Sequence, residues 1–187
     1  MSLDWVPPFQ LLSLRLASCK LGPRFPSWLR TQNRLSELDI SNSKISDVLP
    51  DWFWNVTIST VGTLSISKNQ IKGTLPNLSS KIGSVSSIDM SLNCFEGSIP
   101  QLPYDVQWLD LSNNKLSRSI SLLCTVGTEL LLLDLSNNLL SGGLPNCWAQ
   151  WESLIVLNLE SNRFFGQIPN SFGSCNQFKH YICATTI

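Results

Sequence analysis

Apolar residues fall on alternate positions in short bursts along this chain, and the bursts recur at one spacing. The clearest reads LLLLDLSNNLLSGGLP, from Leu130 to Pro145. Its anchor leucine, Leu133, has counterparts at Leu14, Leu38, Leu64, Ile88, Leu109 and Leu157. Successive anchors stand roughly 21–26 residues apart, a spacing that marks an internal repeat. Two positions beyond each anchor stands Leu16, Ile40, Ile66, Met90, Leu111, Leu135 or Leu159. Alternation at period two sends both side chains inward and the residue between them outward, so each copy opens as a short strand. One coil cannot bury its apolar side alone; the coils have to stack.

The rest of each copy reads as a turn and a return. Five residues after the anchor come Cys19, Ser43, Asn69, Asn93, Asn114, Asn138 and Asn162. An Asn at a tight turn satisfies backbone groups that a strand leaves open, and a column of Asn carries that bonding from coil to coil. Cys19 and Ser43 weaken the first two rungs while still able to bond locally. An apolar residue, usually a Gly (Gly73, Gly97, Gly142, Gly166) and an apolar–Pro pair follow; the fifth copy breaks the rule with Arg118 for Gly and Ser121 for Pro. Three residues past the Pro, Leu29, Phe53, Trp148 and Phe172 fill the outer side, and Pro103 takes that place in the short fourth copy.

These periods lie within the roughly 20–29 residues of leucine-rich repeats. The fold predicted is a leucine-rich repeat solenoid, a horseshoe of right-handed coils with a parallel β-sheet on the concave face and short helical turns and loops on the convex side. At about 4.8 Å per coil, seven coils make an array roughly 30–35 Å long. The organisation predicted is an irregular lead-in over 1–8, seven repeats over 9–174, and an incomplete eighth repeat or aberrant tail over 175–187, where Phe178, Tyr181 and Cys183 occupy the next apolar places.

Composition narrows the function classes. The chain is 43% hydrophobic and 14% charged, with thirteen basic and thirteen acidic residues. No basic stripe exists to hold nucleic acid by bulk electrostatics. The longest apolar runs belong to strands, none approaches a membrane span, and the opening MSLDWVPPFQ lacks the form of a secretion signal. Neither end carries a polar cap, so an interior piece of a longer, secreted chain is expected, with uncapped ends that limit its solubility alone.

None of the six cysteines makes CxxC spacing, and a single His offers little for zinc, so no metal site or cofactor is expected. Cys124 and Cys147 stand nearly one coil apart and can face each other as a disulfide in an oxidising compartment. Cys19 and Cys94 read as small packed side chains; Cys175 and Cys183 permit no assignment of partners. Asn55–Val56–Thr57 and Asn77–Leu78–Ser79 have the form of glycosylation acceptors and fall outside the strands, where a glycan leaves the concave face open.

That face is where binding is expected. Its central column reads Arg15, Asp39, Ser65, Asp89, Asp110, Asp134 and Asn158. On one side lie Ser13, Glu37, Thr63, Ser87, Trp108, Leu132 and Val156; on the other Ala17, Ser41, Ser67, Ser91, Ser112, Ser136 and Glu160. The Asp column has two readings: carboxylates that accept bonds within each LDLSNN turn, or charges shown to a ligand. Trp108 speaks for a ligand, because a large aromatic on an open sheet is costly unless a partner covers it. Glu37, Lys68, Gln107 and Glu160 vary where the scaffold is indifferent, which suits recognition of a protein or peptide. Catalysis is not expected. His180 has no positioned partner, and Asp89, Asp110 and Asp134, though about 5 Å apart as in retaining glycosidases, lie on a shallow sheet that excludes no water.

The LxxLxLxxNxLxGxIP copies resemble the plant-specific extracellular leucine-rich repeat. LASCKLGPRFPSWLRTQNRLSELDIS at Leu16–Ser41, ISDVLPDWFW at Ile45–Trp54 and LSGGLPNCW at Leu140–Trp148 are similar to plant receptor-like proteins, most narrowly to the group that perceives fungal ethylene-inducing xylanase. The resemblance covers residues 9–174. It implies a cell-surface immune receptor with a signal peptide, a long ectodomain, one transmembrane helix and a very short tail, anchored at the plasma membrane through a C-terminal region this chain lacks and signalling through partner receptor kinases. It also implies a second small sheet following the glycines, before each Pro. Two other readings stand beside it: a soluble inhibitor of a microbial cell-wall-degrading enzyme, and a structural spacer within a longer receptor.

Overall fold

The computed structural model describes residues 5–55, 57–174 and 180–182. Strands Ser13–Arg15, Glu37–Asp39, Thr63–Ser65, Ser87–Asp89, Trp108–Asp110, Leu132–Asp134, Val156–Asn158 and His180–Ile182 pair in parallel, in chain order, as one concave sheet. Registration puts the anchors opposite one another: Leu14 on Leu38, Leu38 on Leu64, Leu64 on Ile88, Ile88 on Leu109, Leu109 on Leu133 and Leu133 on Leu157. All seven are buried. A slip of one residue would turn this apolar column to solvent, so the sequence pins the register. The backbone of Tyr181 pairs with that of Leu157 in the same register. Cys175, Phe178 and Cys183 lie outside the described residues.

The Asn column ties the coils together behind the sheet. Asn114 Nδ2 donates to the carbonyls of Leu111 and Ser112 in its own turn and to Met90 of the preceding coil, while its Oδ1 accepts the amide of Phe95. Asn69, Asn93, Asn138 and Asn162 repeat this scheme, each reaching back to the coil before it. Truncating one such side chain to Ala strands several backbone groups that are costly to bury without a partner, at about 1–3 kcal/mol each.

Two coils depart from Asn at this place. Ser43 does more than bond locally: its hydroxyl donates to Leu16 of the preceding coil, and its carbonyl accepts the amides of Leu21 and Gly22. Cys19 holds the same place in the coil of Leu14, where its amide donates to the Leu16 carbonyl. It is exposed rather than packed, and Cys94, expected in the core, is half-buried at the start of a strand.

A second parallel sheet flanks the ladder, made by Lys72–Thr74, Cys94–Gly97, Lys115–Arg118, Leu139–Gly142 and Arg163–Phe164. It precedes the glycines or runs through them, instead of following them. The cause is backbone geometry: Gly73, Gly97, Gly142 and Gly166 have φ between 84° and 100°, a bend that turns the chain away from the ladder. Arg118 adopts the same region at φ 72° without glycine's freedom, a strain of roughly 1 kcal/mol.

Short helical turns close the convex side: an α-turn at Asp51–Asn55 and 3-10 turns that include Ser27–Thr31, Ser121–Thr125, Trp148–Gln150 and Asn170–Ser174. Leu29, Phe53 and Trp148 are fully buried beneath them. Aromatic rings fill the space edge to face, Phe25 on Phe53 at 5.0 Å and Trp148 on Trp151 at 5.4 Å, and the Trp151 indole donates to the Gly127 carbonyl. Among the described residues no helix is long and apolar enough to cross a membrane.

Cys124 and Cys147 form a disulfide with Cα atoms 5.6 Å apart. It staples the fifth coil, the one lacking both Gly and Pro, to the sixth. A bridge closing a loop of this length contributes roughly 3 kcal/mol by chain entropy. The Cys124→Ser/Cys147→Ser double variant is expected to lose about 2–4 kcal/mol in urea unfolding, with the loss reproduced by reducing the parent chain.

Candidate functional site: the concave face

Each concave strand offers two outward residues around a buried anchor. The resulting rows cross the strands at about 4.8 Å per step. The first row runs Ser13, Glu37, Thr63, Ser87, Trp108, Leu132, Val156, and the second Arg15, Asp39, Ser65, Asp89, Asp110, Asp134, Asn158.

The second row has a structural duty. Oδ1 of Asp39, Asp89, Asp110 and Asp134 accepts the amide of the serine two residues on, at 2.9–3.0 Å, and Asn158 does the same for Glu160. Turn bonding therefore explains why a side chain with an acceptor oxygen stands here. It does not explain the charge, since Asn158 performs it neutrally. Burial pushes the Asp110 carboxyl above its ordinary range; the amide and hydroxyl of Ser112 oppose the shift, and the charges of Asp134 and Asp89 add to it.

In coils one and two, Arg15, Glu37 and Ser13 form a closed set on the face. Arg15 Nε donates to Glu37 at 2.6 Å, and the Ser13 hydroxyl donates to the other carboxylate oxygen at 2.7 Å. These contacts hold Glu37 below the usual carboxylate range, the Arg15 hydrogen bond foremost. Glu37, read from the sequence as free to vary, is thus tied to its neighbours. Ser67, Ser91, Ser112 and Ser136, expected on display, are buried where the turn folds over them.

From coil five onward the first row becomes apolar. Trp108 is 51% exposed, and Leu132 and Val156 continue its row with half-buried side chains. Gln107 beside it is half-buried, and its carbonyl accepts the amides of Leu131 and Leu132. Glu160 is likewise half-buried at the end of its column.

Lys68 sits at the turn beyond the face with φ 55°, and Leu92 occupies the same place one coil later with φ 53° and 43% exposure. Other coils put Ser or Asn there, residues that tolerate a left-handed backbone. Leucine pays about 1 kcal/mol for it. Leu92 escaped the sequence reading; an apolar residue in a Ser/Asn column was the available signal. Asn55 and Asn77 are exposed on the far side from the concave rows, where Ser79 donates its hydroxyl to Asn77.

The leucine rich repeat family model matches residues 34–56, 105–125, 129–151 and 153–175. Receptor-like protein EIX2 of Solanum lycopersicum is 44% identical over 126 residues, covering 66% of this chain and 12% of that protein. The chain is a leucine-rich repeat protein of the plant receptor-like type. Among solved structures, the Arabidopsis receptor kinase HAESA, in complex with the peptide hormone IDA and the co-receptor SERK1, superposes with a TM-score of 0.77 at 29% identity, covering 83% of this chain and 26% of that one. A plant ice-binding protein superposes with a TM-score of 0.73 at 28% identity, covering 88% and 53%. This receptor-like repeat chain thus spans a small part of EIX2 and HAESA. Repeat proteins with different tasks share its coils, so its own face has to specify what it does.

The Asp110 shift gives a pH dependence with a defined sign. A raised folded value makes the protonated group the stabilising form, present in full below the unfolded value and lost as pH rises through the folded one. Asp110→Asn keeps the turn acceptor and has no charge to bury. The variant is expected to melt above the parent at neutral pH, with the gap closing as pH falls below the ordinary carboxylate range, as followed by circular dichroism.

Proposed function

We propose that this chain is the ligand-recognition segment of a plant cell-surface immune receptor-like protein, binding a microbial protein or peptide on its concave face. In its full-length form that receptor stands at the plasma membrane with these coils outside, and it signals through partner receptor kinases, the chain itself being no enzyme. Trp108 carries the reading: half-exposed on an open strand, it has the size and position of an interface anchor. The disulfide suits an oxidising compartment. Glycans at Asn55 and Asn77 would sit on the far side and leave the recognition rows clear. HAESA, of similar coil geometry, binds a peptide hormone and a co-receptor.

The test is Trp108→Ala and Glu37→Ala in the complete receptor, with binding of a fungal ethylene-inducing xylanase measured by surface plasmon resonance. Trp108→Ala is expected to weaken binding about 30-fold, the scale of an interface hot spot. Unchanged affinity in both variants would favour coils that only space other sites.

A further inference from the structure

The concave face is chemically divided along its length, and the division points to the shape of its ligand. Over coils one to four the first row is Ser13, Glu37, Thr63 and Ser87; over coils five to seven it is Trp108, Leu132 and Val156, backed by Leu131 and Ile155. Polar side chains would serve equally well at these outward places, as the earlier coils show. Beside the apolar row run Asp89, Asp110 and Asp134, adjacent across the strands. Among the described residues the only ion pair is Arg15 with Glu37, at the opposite end of the face. Three carboxylates thus stand in line without a cation, next to an uncovered apolar stripe.

Spacing selects among ligands of that chemistry. Recognition points repeat at about 4.8 Å across the strands. An α-helix lying across them presents one turn every ~5.4 Å, a near match over three coils. An extended chain brings same-side residues only every ~6.8 Å and falls out of step at once. A three-residue strand is roughly 10 Å long, close to the helix diameter.

We infer that coils four to seven bind a basic amphipathic helix of a partner protein, its apolar stripe on Trp108, Leu132 and Val156 and its Lys/Arg flank on Asp89, Asp110 and Asp134. This rests on the concave-face reading above and narrows it to one ligand chemistry. Helix-in-groove recognition draws its affinity from the apolar stripe, and the charges supply orientation and discrimination.

The probe is a stapled helical peptide of about twelve residues, three turns, with a Leu stripe and a Lys flank. It is compared with a Glu-flanked version and with an unstapled version interrupted by Pro, each labelled and titrated with the protein by fluorescence anisotropy. The Lys-flanked helix is expected to bind at least tenfold more tightly than either comparison peptide. Trp108→Ala removes most binding at any salt concentration. The Asp89→Asn/Asp110→Asn/Asp134→Asn variant stays folded and melts no lower than the parent, because Asn158 already shows Asn making the same turn bond, yet it loses the preference for Lys over Glu. Equal binding of the Lys and Glu helices, or of the Pro-interrupted peptide, would overturn the inference. The broader reading would survive that result if Trp108→Ala still abolished xylanase binding, and would fall with it if Trp108→Ala changed neither.

Discussion

The backward reach of one carboxamide per coil is the constraint on which this structure depends. Each ladder Asn donates into its own turn and into the preceding coil, and accepts an amide from that coil. No backbone group could serve all these partners, because the strand has just ended and the chain is reversing. A carboxamide combines two N–H donors with an acceptor on one short arm, which explains why five of the seven positions are Asn. Ser43 substitutes by sharing the work between its hydroxyl and its own carbonyl.

With adhesion between coils assigned to the ladder, the anchors and the convex aromatics, the outward strand positions are released from the fold. Their chemistry changes along the array from a closed Arg15–Glu37–Ser13 set to an apolar row beside carboxylates without a cation among the described residues. The second row serves both purposes: its oxygens hold the turns, and its charges, dispensable for that duty, lie half-buried along the face. Arg118, Lys68 and Leu92 hold left-handed backbone that Gly, Asn or Ser would adopt at less cost. The energy they forgo is small against a stack closed by several bonds per coil.

Much of this was legible in the residues. Period-two alternation gave the anchors and their register, the Asn column gave the ladder, and the near one-coil interval placed Cys124 against Cys147. Features set by three-dimensional neighbours were not. Burial of Ser67, Ser91, Ser112 and Ser136 arises from a turn folding over them, which alternation does not encode. The second sheet forms ahead of the glycine bend because those residues lie beside the ladder, where the preceding coil offers bonds. Of the proposed site, Trp108 stood out by size alone, whereas the tie between Glu37 and Arg15 depends on register across two coils. Leu92 breaks a Ser/Asn column in the sequence, but its left-handed backbone is a feature of the fold alone.

The central claim, that Asn side chains close the stack, is tested most directly by native-state amide exchange at Ile71, Phe95, Leu116 and Leu140. Each of these amides donates to the carboxamide oxygen of an Asn in the following coil. The account predicts that all four exchange as slowly as the strand amides of the concave sheet. Exchange at the rate of exposed loop amides, with the strands still protected, would contradict it.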